Sequence, residues 1–179
     1  MNIRKLTLKD EEAFIKAYHE FKASNDFDFV SRYKKGMAFS ELIDFFEDQE
    51  NGRNLPEGYV PSTFRFGFLK NKLVGRVMIR HQLNDFLRRI GGHIGYGVVP
   101  SERGKGFGTQ LLNEGLSIAR KLGLERVLLT CDEDNLHSQK IIENGGGIFD
   151  GFADEATYKP RKCRYRFILA IARISPIPL

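Results

Sequence analysis

"VVPSERGKGFGTQLL", residues 98–112, decides the fold. An apolar run ends at Val99, a proline follows, and Gly104, Gly106 and Gly108 fall close together before a leucine-bearing segment begins at helical spacing. A strand, a glycine loop and a helix in that order bring unpaired amides and the positive end of a helix dipole to one point, which suits an anion. Arg103 and Lys105 add full positive charges. Thr109 can cap the helix or donate to a phosphate oxygen. The glycines keep Cβ atoms out of the way of a close approach. The ligand such a loop fits is a phosphate or pyrophosphate.

Two well-known phosphate loops do not match. A P-loop needs a glycine five residues before Gly104 and a serine or threonine after Lys105, where this chain has Val99 and Gly106. A dinucleotide fingerprint needs a third glycine where Thr109 stands, and it follows its strand directly, whereas "PSE" intervenes here.

Working outward, the chain has 179 residues, 41% of them hydrophobic and 28% charged. That length suits one domain, 1–179, with a core large enough to need no staples. Cys131 and Cys163 match no zinc spacing and read as free thiols in a reducing cytosol, with no metal site. "MNIRKLTLKDEE" lacks the apolar centre of a signal peptide, and no apolar run is long enough to span a membrane. A cytoplasmic protein with no membrane partner is expected, as monomer or homodimer. The net charge of +5 permits polyanion binding without requiring it. "KPRKCRYR" at 159–166 alternates charged and apolar residues, so a strand is preferred there over a nucleic-acid surface.

"IRKLTL" reads as a first strand, and Asp10 as the cap of a helix carrying Phe14, Ala17, Tyr18 and Phe21. "SNDFDFVSRYKKG" is loop. Ser40 opens a helix that ends near Gly52. "STFRFGFLK" and "LVGRVMIR" form a hairpin about "NK" at 71–72, with Phe64, Phe66 and Phe68 on one face. "HQLNDFLRRIGG" connects to the strand "HIGYGVV". The helix after the glycine loop has Leu112, Leu116, Ala119 and Leu122 as its apolar stripe and Gly123 at its end. "LERVLLTC" is a buried strand, "NLHSQKIIENGG" a short helix, and "GIFDGF" and "KCRYRFILAIA" are the last strands. The class is α+β. A mixed, mostly antiparallel central sheet with helices on both faces is expected. Around the glycine loop, a strand–helix–strand unit with parallel strands follows from the handedness of crossovers.

At these residues the sequence resembles the GNAT superfamily of acyl-CoA N-acyltransferases, in the form seen in bacterial predicted acetyltransferases. Arg103, Gly106 and Gly108 occupy the family's Arg/Gln-x-x-Gly-x-Gly/Ala positions, and Asn135 and Ser138 its Asn-x-x-Ala/Ser positions. The motifs cover about residues 93–150. The resemblance implies acetyl-CoA as cosubstrate. Val98 and Val99 would contact the pantetheine arm. Arg103, Gly104, Lys105, Gly106, Phe107, Gly108 and Thr109 would hold the pyrophosphate, with Asn135 and Ser138 lining the far side of the arm. The implied reaction is direct attack of an amine, on a small molecule or a peptide, upon the thioester in a ternary complex.

Two usual family residues are replaced. Ile94 stands at the carboxylate base position, and Ile142 at the tyrosine that protonates the leaving thiolate. Tyr96 shares the Ile94 and Val98 face of its strand by alternation, while His93 faces the other way. Tyr96, Asp132 and His93 are therefore the catalytic candidates, with Tyr96 ordering a water and Asp132 relaying a proton. A non-catalytic acyl-CoA-binding or sensing module is the alternative. Residues 22–40, 50–62 and 81–92 would shape the acceptor site, where Arg80, His81, Arg88 and Arg89 could clamp an anionic acceptor or be solvated.

Overall fold

The fold was obtained as a computed structural model, which describes residues 1–24, 29–153 and 159–169. The expectations for 25–28, within the first long loop, and for 170–172, at the end of the last strand, lie outside the described residues. Among the described residues, seven strands and five α-helices follow in the order β1 (Asn2–Arg4), α1 (Glu11–Ala23), α2 (Phe39–Asn51), β2 (Ser62–Leu69), β3 (Lys72–Arg80), α3 (Asp85–Arg89), β4 (Ile94–Val98), α4 (Phe107–Lys121), β5 (Arg126–Asp132), α5 (Leu136–Asn144), β6 (Ile148–Phe152) and β7 (Lys162–Ile168).

The α+β class and the helices on both faces are as expected, but a continuous mixed sheet is not formed. The described residues form two antiparallel sheets, ordered β1-β2-β3-β4 and β5-β7-β6. β4, α4 and β5 follow one another as read from the sequence, yet β4 and β5 make no parallel ladder. The chain just before β4 instead meets the middle of β5, where an isolated antiparallel bridge joins Gly92 and Leu129. The cause lies in Gly91 and Gly92, with φ of 101° and 60°, which turn the chain just before β4. A Cβ on Gly92 would stand 2.2 Å from the Leu128 carbonyl oxygen, so only glycine permits this crossing.

Alternation decides which side of the first sheet each residue covers. Phe66 and Phe68 on β2 bury against Phe14 and Phe21 of α1 and Leu42 and Phe46 of α2. Val77 and Ile79 on β3, with Ile94 on β4, pack on the opposite face against Leu111, Leu112 and Leu116 of α4. The same helix meets Val127 and Leu129 of β5 and Tyr165 and Phe167 of β7, so α4 joins the two sheets into one core.

Local differences have local causes. Asp10 precedes α1 but does not cap it. Its carboxylate turns back to accept from the Thr7 amide and hydroxyl at 2.8 Å each, and from Arg4 at 2.7 Å. Arg4 holds it well below the usual range, at about 2. The hairpin turn falls at 70–71, one residue early, because Lys70 adopts φ 53° and Leu69 pairs with Lys72. Leu122 leaves the apolar stripe of α4 because the helix ends at Lys121, and it is 40% exposed. Leu111 and Ile118 are buried in its stead.

Candidate functional site

β4 is the last strand of its sheet, and the pattern of its bonds to β3 determines what its outer edge offers. Arg80 N donates to His93 O and Val99 N to Val74 O, at 2.8 and 2.9 Å. With Tyr96 opposite Val77, alternation directs the backbone of Gly95 and Gly97 into the sheet and that of Ile94, Tyr96 and Val98 outward. Beyond the Gly92 bridge no strand among the described residues occupies that outer edge. Val98 therefore stands where an extended ligand could add to the edge. Val99 does not, since its amide is committed to Val74 and its side chain is buried with Phe21 and Phe29.

The chain then makes a single 3-10 turn at Pro100–Glu102 and enters the glycine loop. Two acids brace this turn from behind. Glu20 of α1 accepts from the Ser101 amide and, at 3.2 Å, from its hydroxyl. The buried Glu102 carboxylate accepts from Lys72 of the hairpin and from Lys105 at 3.0 Å, and both lysines hold its pKa below the ordinary value. Arg103 Nε donates to the outward Val98 carbonyl at 3.3 Å. Gly104 and Gly106 adopt φ of 75° and 77°, the left-handed region that favours glycine. Gly106 ends the loop as the side-chain-free N-cap of α4, and the first intrahelical bond runs from Gln110 N to Gly106 O at 3.4 Å. The amides of Phe107, Gly108 and Thr109 precede that bond and lack an intrahelical acceptor. Arg103, Lys105 and Thr109 are exposed beside them.

Gly108 differs from its two neighbours. A Cβ there would lie 2.8 Å from Ile141 Cδ1 and close to Tyr96 and Val98, whereas added Cβ atoms at Gly104 and Gly106 would meet nothing. Its missing side chain serves the packing of α4 on α5 and β4.

The facing residues come from β5 and α5. Asn135 caps α5, its side-chain oxygen accepting from Ser138 N at 3.0 Å, so its place in the motif has a folding reason. The Ser138 hydroxyl meets the Tyr96 hydroxyl at 3.0 Å, and the Cys131 thiol lies near both. β4, β5 and α5 thus bring a phenol, a thiol and a hydroxyl together in the opening between the sheets. Burial pushes the Tyr96 phenol up to about 12, so it is neutral and available as a donor.

The other candidates are engaged elsewhere. His93 Nδ1 accepts from the Leu128 amide at 3.0 Å. Burial, with Arg80 and Arg88 nearby, lowers its pKa to about 4. Asp132 is ion-paired with Lys162, directly opposite it on β7, and Glu133 with Arg161 at 2.8 Å. Ile94 and Ile142 are both core residues. Arg80 donates to Gly91 O and Gly92 O, and His81 pairs with Thr63, which ties both into the fold. In "KPRKCRYR", Arg166 pairs with Asp150 at 2.8 Å, and Arg164 donates to the carbonyls of Arg88 and Arg89. These contacts fit a strand better than a polyanion surface. The bracing residues Glu20, Lys72 and Glu102 carried no signal in the sequence, because each acts on a loop across the fold.

The sequence model of the acetyltransferase (GNAT) family matches residues 20–145. Among solved structures, a GNAT-family acetyltransferase from Streptococcus pneumoniae superposes with a TM-score of 0.65 at 19% identity, covering 94% of this chain and 99% of that one. A ribosomal alpha-N-protein acetyltransferase in complex with coenzyme A gives 0.66 at 16% identity, with 93% of each chain covered. A spermidine N-acetyltransferase from Vibrio cholerae gives 0.62 at 17% identity, covering 94% and 95%. Comparison with curated protein sequences finds no match. At these identities the structural likeness speaks for the fold.

Proposed function

Because the chain belongs to the acetyltransferase (GNAT) family, we propose that it transfers an acetyl group from acetyl-CoA to a primary amine of a small molecule or peptide. The observation that carries this reading is the continuity between the outward edge of β4 and the amides that open α4. Coenzyme A matches that surface in chemistry. Its pyrophosphate suits the amides of Phe107, Gly108 and Thr109, with Arg103 and Lys105 beside them. Its amide-bearing arm suits the outward backbone of Val98 and Tyr96, as an added strand would. A charge-assisted contact to phosphate contributes roughly 1.5–3 kcal/mol. Arg103→Ala should therefore weaken coenzyme A more than dephosphorylated pantetheine.

Acyl transfer to an amine needs the amine held against the thioester, the carbonyl oxygen stabilised as it gains charge, and the leaving thiolate met by a donor. The outward Val98 amide is the donor for the oxygen. Tyr96, held by Ser138, is the donor toward the sulfur. A phenol near 12 does not give its proton fully to a thiolate of ordinary pKa near 8.5. It stabilises that thiolate through a hydrogen bond and orders water that carries away the amine's proton. His93 takes no part in this scheme, and Asp132 acts through its field rather than as a free base.

The relatives whose names state an acceptor act on a protein N-terminus or on spermidine. Both classes belong in the test. Coenzyme A release from acetyl-CoA should rise with at least one amine in a panel of polyamines and free-N-terminal peptides. Tight coenzyme A binding by calorimetry without turnover on any amine would favour the acyl-CoA-sensing alternative, which the burial of Ile94 and Ile142 recommends. Absence of binding would overturn both.

A further inference from the structure

β5 and β7 pair so that Cys131 lies directly opposite Cys163. Leu169 N donates to Glu125 O and Glu133 N to Arg161 O. Counting by twos from either end makes Cys131 and Cys163 a hydrogen-bonded pair of the ladder. Opposite residues share a face, and this face is the core side, with Leu129 and Tyr165 as neighbours. Both thiols are free and buried. Cys131 also lies close to Tyr96 and Ser138, whose hydroxyls meet, so this member of the pair borders the residues that face the outer edge of β4.

We propose that Cys131 and Cys163 constitute a vicinal dithiol site for a soft, two-thiol-seeking metalloid, trivalent arsenic, and that its occupation excludes the cofactor arm. The second clause rests on the coenzyme A reading above; the first does not.

A disulfide is the competing fate of two such thiols, and the ladder geometry disfavours it. A disulfide needs Cβ atoms about 3.8 Å apart. Residues opposite each other in a hydrogen-bonded pair keep their Cα atoms about 5.5 Å apart, with Cβ atoms toward the wide end of 4.5–5.5 Å. A single soft atom placed between the two sulfurs spans the remainder without moving either strand. Thiolate sulfur is the ligand type that soft centres select.

With an arsenoxide the step balances without oxidation or reduction. The arsenic–oxygen double bond is lost, two arsenic–sulfur bonds form, and both thiol protons leave with the oxygen as one water. Burial pushes the Cys131 thiol up to about 12 and raises that of Cys163 as well, which slows reagents that need a thiolate. A bidentate reagent gains from making its second bond within one molecule, a factor of about a hundred or more.

The test is intact-mass analysis of the full chain treated with phenylarsine oxide. One adduct per chain, formed with loss of one water, reversed by a small dithiol and consuming both thiols in a thiol count, is expected. Cys131→Ala and Cys163→Ala should each weaken the adduct about a hundredfold. The wild-type thiol count stands even where a variant fails to fold. Mild peroxide should leave both thiols reduced and iodoacetamide should label them slowly. An adduct surviving unchanged in either folded single variant, or a disulfide forming readily in peroxide, would overturn the site. Coenzyme A should slow arsenical capture. Capture unaffected by saturating coenzyme A would overturn the shared location and leave the dithiol standing. Failure of coenzyme A to bind at all would instead count against the function proposed above.

Discussion

Tyr96 and His93 lie three positions apart on one stretch of chain, yet the fold treats them oppositely. Tyr96 projects into the opening between the sheets and meets Ser138. His93 spends its Nδ1 lone pair on the Leu128 amide. Replacement should separate them. Tyr96→Phe removes a positioned donor, and such groups typically contribute a hundredfold or more, so kcat should fall by about that factor with coenzyme A affinity unchanged. His93→Gln should leave kcat near wild type on the amine a panel identifies; a larger kcat loss in that variant would make His93 the base. The histidine's own signature is thermodynamic. Its folded pKa of about 4 lies below the usual 6.5, so between those values the unfolded chain binds more protons than the folded one. Stability from this group is present above pH 6.5 and is lost as pH falls toward 4. Melting temperatures across that window should decline in the wild type and flatten in His93→Gln. An equal decline in both would show that other groups set the slope. The facing of these two residues was legible from alternation alone. Their partners were not, since Leu128 and Ser138 meet them from other elements.

At the scale of elements, the glycine loop and α4 were legible because their signals are local: a strand end, clustered glycines, two cations and a helical stripe. What each glycine does was not. Gly104 and Gly106 need their left-handed φ and have open space around them. Gly108 needs the space itself, and the side chain that claims it, Ile141, belongs to α5. Alanine replacements should sort accordingly. Gly104→Ala and Gly106→Ala should each cost about 1–2 kcal/mol of stability from backbone strain. They should also weaken coenzyme A, because they reorient the amides that open α4. Gly108→Ala presses on the flexible end of Ile141, an overpacking that costs about 1–3 kcal/mol. Gly108→Val should be worse, and its loss of cofactor affinity should follow its loss of fold. Chemical unfolding beside calorimetric titration separates the two classes. If Gly106→Ala bound coenzyme A as tightly as wild type, the loop would not be the pyrophosphate site. Asn135 gives the same lesson from the other side, since its motif position also caps α5.

At the scale of the whole molecule, the sequence told which faces are apolar, but not which strands are neighbours. Period-two alternation is satisfied equally by one sheet or by two, so a continuous sheet was the simpler expectation. The division is made by a stitch of four contacts between segments far apart in the chain. Gly91 N donates to Thr130 Oγ1 at 2.9 Å, His93 N to Leu128 O at 2.7 Å, Leu128 N to His93 Nδ1 at 3.0 Å, and Gly92 bridges Leu129. Past that stitch β4 and β5 go to separate sheets, and no strand among the described residues covers the outer edge of β4. The stitch therefore fixes the width of the opening in which Tyr96, Ser138 and Cys131 meet, and Gly92 is its tightest point. An alanine Cβ there would stand 2.2 Å from Leu128 O and 2.8 Å from its carbonyl carbon, and backbone cannot swing aside as a side-chain tip can. The φ of 60° adds left-handed strain. Overpacking and strain together predict a loss of about 3–4 kcal/mol for Gly92→Ala. For a chain of this length that corresponds to roughly a 10 °C fall in melting temperature. Because α4 still joins the sheets through its apolar side, the variant should remain folded at low temperature. Its coenzyme A affinity should fall there too, since the edge of β4 has been pushed from its place beside β5. A melting temperature within a degree or two of wild type would mean that the crossing yields easily, and that the separation of the sheets is set by α4 rather than by this glycine.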